Sequence, residues 1–228
     1  MLKIYGVPIS VHTRKAIVAA IAKQLPHEVV PVAPVAPASL PPDWDELSPT
    51  GKIPVLAHDG FVLADSAAIC AYLEHLQPQP PLYPGEARAH ALAISLEQYA
   101  GQLFRDVVHP LFHETVVHPK LRGIPTDVAR VDAVLTHALP PMFAYLDGAA
   151  ARGWLAGDAM SIADIHVVSN LLTYQYLGFD LQRTRYPRLA ALHDRTVRHP
   201  AVQEALRREQ PSVEAMGLRG DVLRGMLA

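Results

Sequence analysis

Gly51-Lys52-Ile53-Pro54-Val55-Leu56, followed by Asp65-Ser66 eleven residues beyond the proline, has residue types and spacing suited to holding a small charged molecule. Proline lacks a backbone donor and restricts its neighbours, so Pro54 just ahead of the apolar run Val55-Leu56-Ala57 is costly in a strand. Two readings stand for it. One is an edge or bulge proline; the other is a cis Ile53–Pro54 peptide that turns the Ile53 N–H and C=O toward a ligand, a form taken by about one X-Pro bond in twenty. His58-Asp59-Gly60 reads as a hairpin turn, Phe61-Val62-Leu63 as the returning strand, and Asp65-Ser66 as the cap of a helix. The free N–H groups of that helix start suit a carboxylate. Lys52 is either a solvated surface charge or a point charge for an anion.

The elements that must position these groups follow from periodicity and punctuation. Leu2-Lys3-Ile4-Tyr5 alternates as a strand, and Gly6-Val7-Pro8 breaks it. A helix is expected from Ser10 or Val11 to about Gln24, with Ile17, Ala20 and Ile21 on one side, and a second strand over residues 27–32. Strand, helix and strand in so short a span make a βαβ unit with parallel strands. The proline-rich residues 31–42 read as a stiff, partly extended loop. The hairpin at Asp59-Gly60 and a helix over residues 66–76 complete a small α/β domain, residues 1–77, and the Pro/Gly-rich residues 78–86 read as a linker.

Beyond it strand signals vanish, so residues 87–228 form an all-α domain. One long helix is expected over about 86–118, perturbed at Pro110, and another over about 126–147, bent or divided at Pro140-Pro141. Residues 162–176 are apolar nearly all round, the mark of a buried central helix. Shorter helices follow Pro187 and Pro200. Ser161 and Asp164 have capping-box spacing, with Asp in place of the commoner Glu or Gln.

The 228 residues are 50% apolar and 18% charged with a formal net charge of −2, which fits a well-buried globular protein and gives no reason to expect a nucleic-acid partner. Cys70 is the single cysteine, so no internal disulfide forms and a reducing compartment fits. No secretory signal is evident, and no apolar run approaches the roughly 18 residues that span a bilayer. The expectation is a cytoplasmic protein without a membrane segment. His109 and His113 share a helix face, with His118 nearby, but no further ligand of recognisable pattern accompanies them, so no metal is assigned.

Taken in order, Tyr5-Gly6-Val7-Pro8-Ile9-Ser10-Val11-His12-Thr13-Arg14, Leu47 to Leu56, Asp65-Ser66 and Ser161-Ile162-Ala163-Asp164 resemble the cytosolic glutathione transferases of the serine type, phi-like or a bacterial relative. The resemblance covers essentially the whole chain except about the last fifteen residues. It implies a thioredoxin-like domain followed by a helical bundle, a homodimer, glutathione as co-substrate and no tightly bound cofactor. It also implies roles: Ser10 catalytic; Ile53, beside cis-Pro54, pairing with the cysteinyl moiety; Lys52 meeting a glutathione carboxylate. Asp65 would accept the γ-glutamyl ammonium and Ser66 would hold its α-carboxylate. Asp65 is shorter than the Glu of many members.

A free thiol titrates at about 8.5, and its thiolate is the nucleophile. A hydroxyl bond from Ser10 and the helix start behind it would favour the anion. Ser10 capping that helix is an equally good local account, and the two roles coexist. Tyr5 is the competing hydroxyl donor, placed less well on the strand. Arg14 reads as a structural ion pair, and Cys70 as a buried inert thiol, which argues against thiol–disulfide chemistry. A small apolar electrophile would sit near His12, Leu103, Phe104 and Phe112. The alternative is a transferase-like binding or regulatory protein without turnover. A maleylacetoacetate isomerase reading lacks its serine-serine-cysteine run, while peroxidase, dehalogenase and etherase activities share the same thiolate.

Overall fold

The computed structural model describes residues 1–227. Strand β1 (Leu2–Tyr5) is followed by helix α1 (Val11–Ala22), strand β2 (His27–Val30), the short helix α2 (Trp44–Leu47), strands β3 (Val55–His58) and β4 (Phe61–Ala64), and helix α3 (Ser66–Leu76). The sheet order is β2-β1-β3-β4. β1 and β2 are parallel, with Leu2 opposite His27, as the βαβ crossover requires. β3 runs antiparallel to both β1 and β4. The proline-rich stretch holds a single 3₁₀ turn at Pro37–Ser39, closed by Ser39 Oγ on the Ala33 N–H and C=O. This is a thioredoxin-like arrangement, and every later element is helical.

Helix α4 (Ala87–Leu103) starts at Glu86, whose carboxylate accepts from the Arg88 and Ala89 N–H groups. The rod runs on past the expected end: a π-helical turn at Phe104–Val108, α5 (His109–Phe112), then a second π-helical stretch to Arg122. Helices α6 (Val128–Ala133) and α7 (Leu139–Ala149) are joined the same way through Val134–Ala138. Prolines explain the pattern. Pro110, Pro119 and Pro140 cannot donate to the carbonyl four residues back and would clash with it. A widened turn before or around each one lets the helix continue instead of breaking.

Helix α8 (Ile162–Tyr176) keeps its expected bounds and is buried along almost its whole length. Helix α9 (Pro187–Val197) packs beside it, and α10 (Pro200–Ala215) packs chiefly against α1. A final helix, α11 (Gly220–Met226), lies where no element was expected; Leu223 anchors it in the core.

Asp164 closes the α8 start with Oδ2 accepting from the Ser161 N–H (2.8 Å) and hydroxyl (2.7 Å) and Oδ1 from the Leu155 N–H (2.9 Å). All are buried, so Asp164→Ala leaves three donors without an acceptor. The expected cost is about 3 kcal/mol, seen as a fall in Tm of roughly 6–12 °C. Ligand binding at the N-terminal site should persist; an unchanged Tm with binding lost would contradict this.

Helix α1 pins the two halves together, because nine of its twelve residues are buried and two of its cations reach the helical domain, while a third, at its C-cap, stays within the first domain. Arg14 Nε meets Glu209 of α10 at 2.7 Å, Lys15 meets Glu97 of α4 at 2.8 Å, and Lys23 meets Glu74 of α3 at 2.7 Å. Arg14 is thus the structural ion pair expected of it.

Candidate active site at the junction of the two domains

Ser10 is the N-cap of α1, with extended backbone at φ −65° and ψ 131°. Its N–H donates to the Val7 carbonyl (3.0 Å) and its carbonyl accepts from the Arg14 N–H (2.8 Å). The hydroxyl makes no capping bond, so it stays available at an electropositive helix start. The loop before it is held at both ends. Gly6 N–H donates to the Val30 carbonyl at 2.9 Å, and Arg14 Nη2 donates to the Ile9 carbonyl at 3.1 Å. Only glycine fits at position 6, since a Cβ there would lie 2.5 Å from Thr13 Oγ1.

The Ile53–Pro54 peptide is cis. Ser48 Oγ donates to the Lys52 carbonyl (2.7 Å) and accepts from the Lys52 N–H (3.0 Å), fixing the approach to Ile53. Lys52 is exposed, Ile53 half-buried and Pro54 buried. Asp65, exposed and at φ +76°, caps α3: its Oδ1 accepts from Ala67 N–H at 2.8 Å and Ala68 N–H at 3.2 Å. Short polar residues tolerate such a backbone better than branched ones. Ser66, the first residue of α3, is buried, with Oγ 3.4 Å from His12 Nδ1.

His12 therefore links the α1 and α3 starts. Its ring packs edge-on against Phe104 (4.5 Å between centroids) and His166 (5.3 Å). Burial, then the Lys15 ammonium, pushes its pKa down to about 4, so it is a neutral imidazole at pH 7. Burial likewise lowers His166 and His193. The sign follows: between about pH 6.5 and 4 the unfolded chain binds protons that these folded-state groups refuse. Stability present above pH 6.5 should be lost as pH falls toward 4, with net proton uptake on unfolding at pH 5.5. A Tm independent of pH from 7.5 to 5 would contradict this.

Among the electrophile-site candidates, Phe104 and Phe112 are half-buried but Leu103 is fully buried. Leu96, Ala100, Leu103 and Val107 recur at helical spacing as the buried face of the rod, and that spacing turns Leu103 into the core. Leu103 is therefore removed from the site. His109, exposed, lies beside Phe104, with centroids 5.5 Å apart. Cys70 is fully buried, and burial pushes its thiol up to about 12, so it is no nucleophile. His118 Nδ1 is engaged by Glu114 at 3.1 Å, and among the described residues no three His, Cys, Asp or Glu side chains are grouped to hold a metal ion. No described helix is long and apolar enough to cross a membrane.

Sequence reasoning missed Glu209, the distant partner of Arg14. A lone carboxylate among the charges of an amphipathic helix carries no local signal. It also missed how closely His12 approaches Ser66.

Known proteins share this plan. Residues 4–81 match the glutathione S-transferase N-terminal domain and residues 118–209 its C-terminal domain. A glutathione S-transferase of Triticum aestivum is 28% identical over 172 residues, 75% of this chain and 78% of the relative. A maleylacetoacetate isomerase of Pseudomonas aeruginosa is 30% identical over 176 residues, 76% and 80% of the two chains. The crystal structure of a glutathione S-transferase from Rhodospirillum rubrum superposes with a TM-score of 0.80 at 27% identity, covering 90% of this chain and 92% of that one. With both domain models matched in order on a thioredoxin-like sheet and a helical domain, the chain belongs to the glutathione S-transferase family.

Proposed function

We propose that the protein is a serine-type glutathione transferase that stabilises the glutathione thiolate with Ser10 and joins it to a small electrophile. The observation that supports this most is the Ser10 hydroxyl, which caps no backbone group although it stands at the start of α1. In this reading the Ile53 backbone pairs with the cysteinyl unit as an added strand would. Ser66 holds the γ-glutamyl carboxylate at the α3 start. Asp65 accepts the ammonium, and Lys52 faces a carboxylate. The thiol proton leaves to solvent; Ser10 Oγ–H then donates to sulfur, and the N–H groups of the first α1 turn add their positive potential. The sulfur lone pair forms the new carbon–sulfur bond as the leaving group departs or a double bond opens.

Domain limits of 1–77 and 87–228, a homodimer and a cytoplasmic location belong to the same reading. Phe61 and Val62 on β4 and Leu92 and Ile94 on α4 are exposed apolar side chains that support self-association. The name of the Pseudomonas relative, a maleylacetoacetate isomerase, supports a second reading, an isomerase. Against it, Ser10 is followed here by Val11 and His12, not by serine and cysteine.

Calorimetric titration with glutathione, paired with ultraviolet detection of bound thiolate, tests the proposal. Binding with a thiolate signal at pH 7 is expected. Tight binding without that signal would favour a binding protein without turnover, and no binding at millimolar glutathione would reject both.

A further inference from the structure

The rod that runs from α4 to Arg122 carries a continuous row of rings. From His12 and Phe104 the row passes to His109, then to His113 at 4.3 Å between centroids and to His118 at 5.9 Å. Neither His109 nor His113 has a hydrogen-bond partner among the described residues, so their ring nitrogens are open to a ligand. An apolar molecule lying on them would strip those nitrogens of water and return nothing.

Cations and carboxylates both border the row, but the carboxylates are engaged. After burial, the cations Arg130 and Lys52 lower His109, and after burial the neighbouring His109 and His118, then Arg122 and Arg130, lower His113. Lys52 is committed to a glutathione carboxylate in the proposed site, and Arg130 is paired with Glu114. Arg122, which forms no ion pair among the described residues, is the cation left for a second anion. The nearby carboxylates are engaged elsewhere. Glu114 accepts from His118 and the Asp127 N–H and pairs with Arg130 at 3.4 Å; Asp127 caps α6 through the Arg130 N–H. Asp65 caps α3. A planar face with free N–H donors inside a cationic rim matches an aromatic ring that bears an anion.

We propose that the electrophile is an aryl compound carrying a carboxylate, its ring against Phe104 and His109 and its carboxylate toward His109, His113 and Arg122 beyond them. The proposal rests on the glutathione transferase reading and narrows it from apolar electrophiles in general.

A matched pair of acceptors tests it: 4-chloro-3-nitrobenzoate and 4-chloro-3-nitrobenzamide. In both, the glutathione sulfur bonds to the ring carbon bearing chlorine, and chloride leaves with the electron pair of the broken bond. Each kcat/KM is divided by the uncatalysed rate with free glutathione, which removes intrinsic reactivity. The benzoate should be favoured about tenfold in the wild type, the scale of one charge-assisted hydrogen bond. In His109→Phe/His113→Phe, which keeps the row of rings and removes the N–H donors, that ratio should fall to about one, while the exposed His137→Phe keeps it. A wild-type ratio near or below one, or a ratio unchanged in the double variant, overturns the proposal. So does no turnover of either acceptor while bound thiolate is seen. Absence of glutathione binding instead overturns the reading beneath it.

Discussion

Ser10→Ala is expected to lower kcat/KM about a hundredfold near pH 6.5, and the loss should shrink steadily as pH rises toward 9. Removing one donor aimed at a reacting charge costs on the order of 10²–10³ in rate. Here the mechanism predicts a pH signature as well. Without the hydroxyl, the bound thiol returns toward about 8.5, so less of it is ionised at neutral pH. Alkaline solution ionises it without help, and the variant catches up. The ultraviolet thiolate signal should move with the rate.

The capping account of Ser10 predicts something different. Loss of a true N-cap bond costs about 1 kcal/mol. The Ser10 hydroxyl makes no such bond, so Ser10→Ala should change Tm by no more than roughly 2 °C. A rate loss equal at all pH values, or one accompanied by a large fall in Tm, would remove Ser10 from the chemistry.

Arg14→Ala should produce the largest loss of stability. Arg14 and Glu209 are 1% and 0% exposed. The guanidinium also donates to the Ser169 carbonyl, Thr173 Oγ1 and the Ile9 carbonyl, while Glu209 accepts from the Tyr176 hydroxyl. Removing one partner of a buried pair strands the other charge, at about 3–5 kcal/mol. For a chain of this size that is a fall in Tm of roughly 6–20 °C. Replacing both partners by apolar residues, Arg14→Met with Glu209→Leu, should restore much of the stability because no charge is left buried.

Activity should not recover to match. The Ile9 carbonyl, one residue before Ser10, still lacks the Arg14 donor in the double variant, and the loop geometry with it. Stability regained with thiolate formation still impaired is the expected split. Full recovery of both would make Arg14 a stability residue alone. Equal damage in the single and double variants would show that the pair is not acting as the burial indicates.

The domain architecture was legible in the residues, because the signals that define it are local. Alternation marks β1, the Asp59-Gly60 turn fixes the hairpin, Asp65 starts α3, and Ser161 with Asp164 sets the first residue of α8. Caps, turns and periodicity act within a few residues, so a short window contains their whole cause.

Packing decided the rest. Pro110 and Pro140 announce a break, yet the rods continue through widened turns because their apolar faces gain more by staying packed. Leu103 and Phe104 are neighbours in sequence, but the rotation of one helical residue sends the first into the core and the second toward His12. Arg14 finds Glu209 across 195 positions, and only the fold brings that carboxylate to it. The residue types alone named the chemistry available. Which of them face one another was settled by burial, since a charge or ring takes its partner from whatever the closed core leaves within reach.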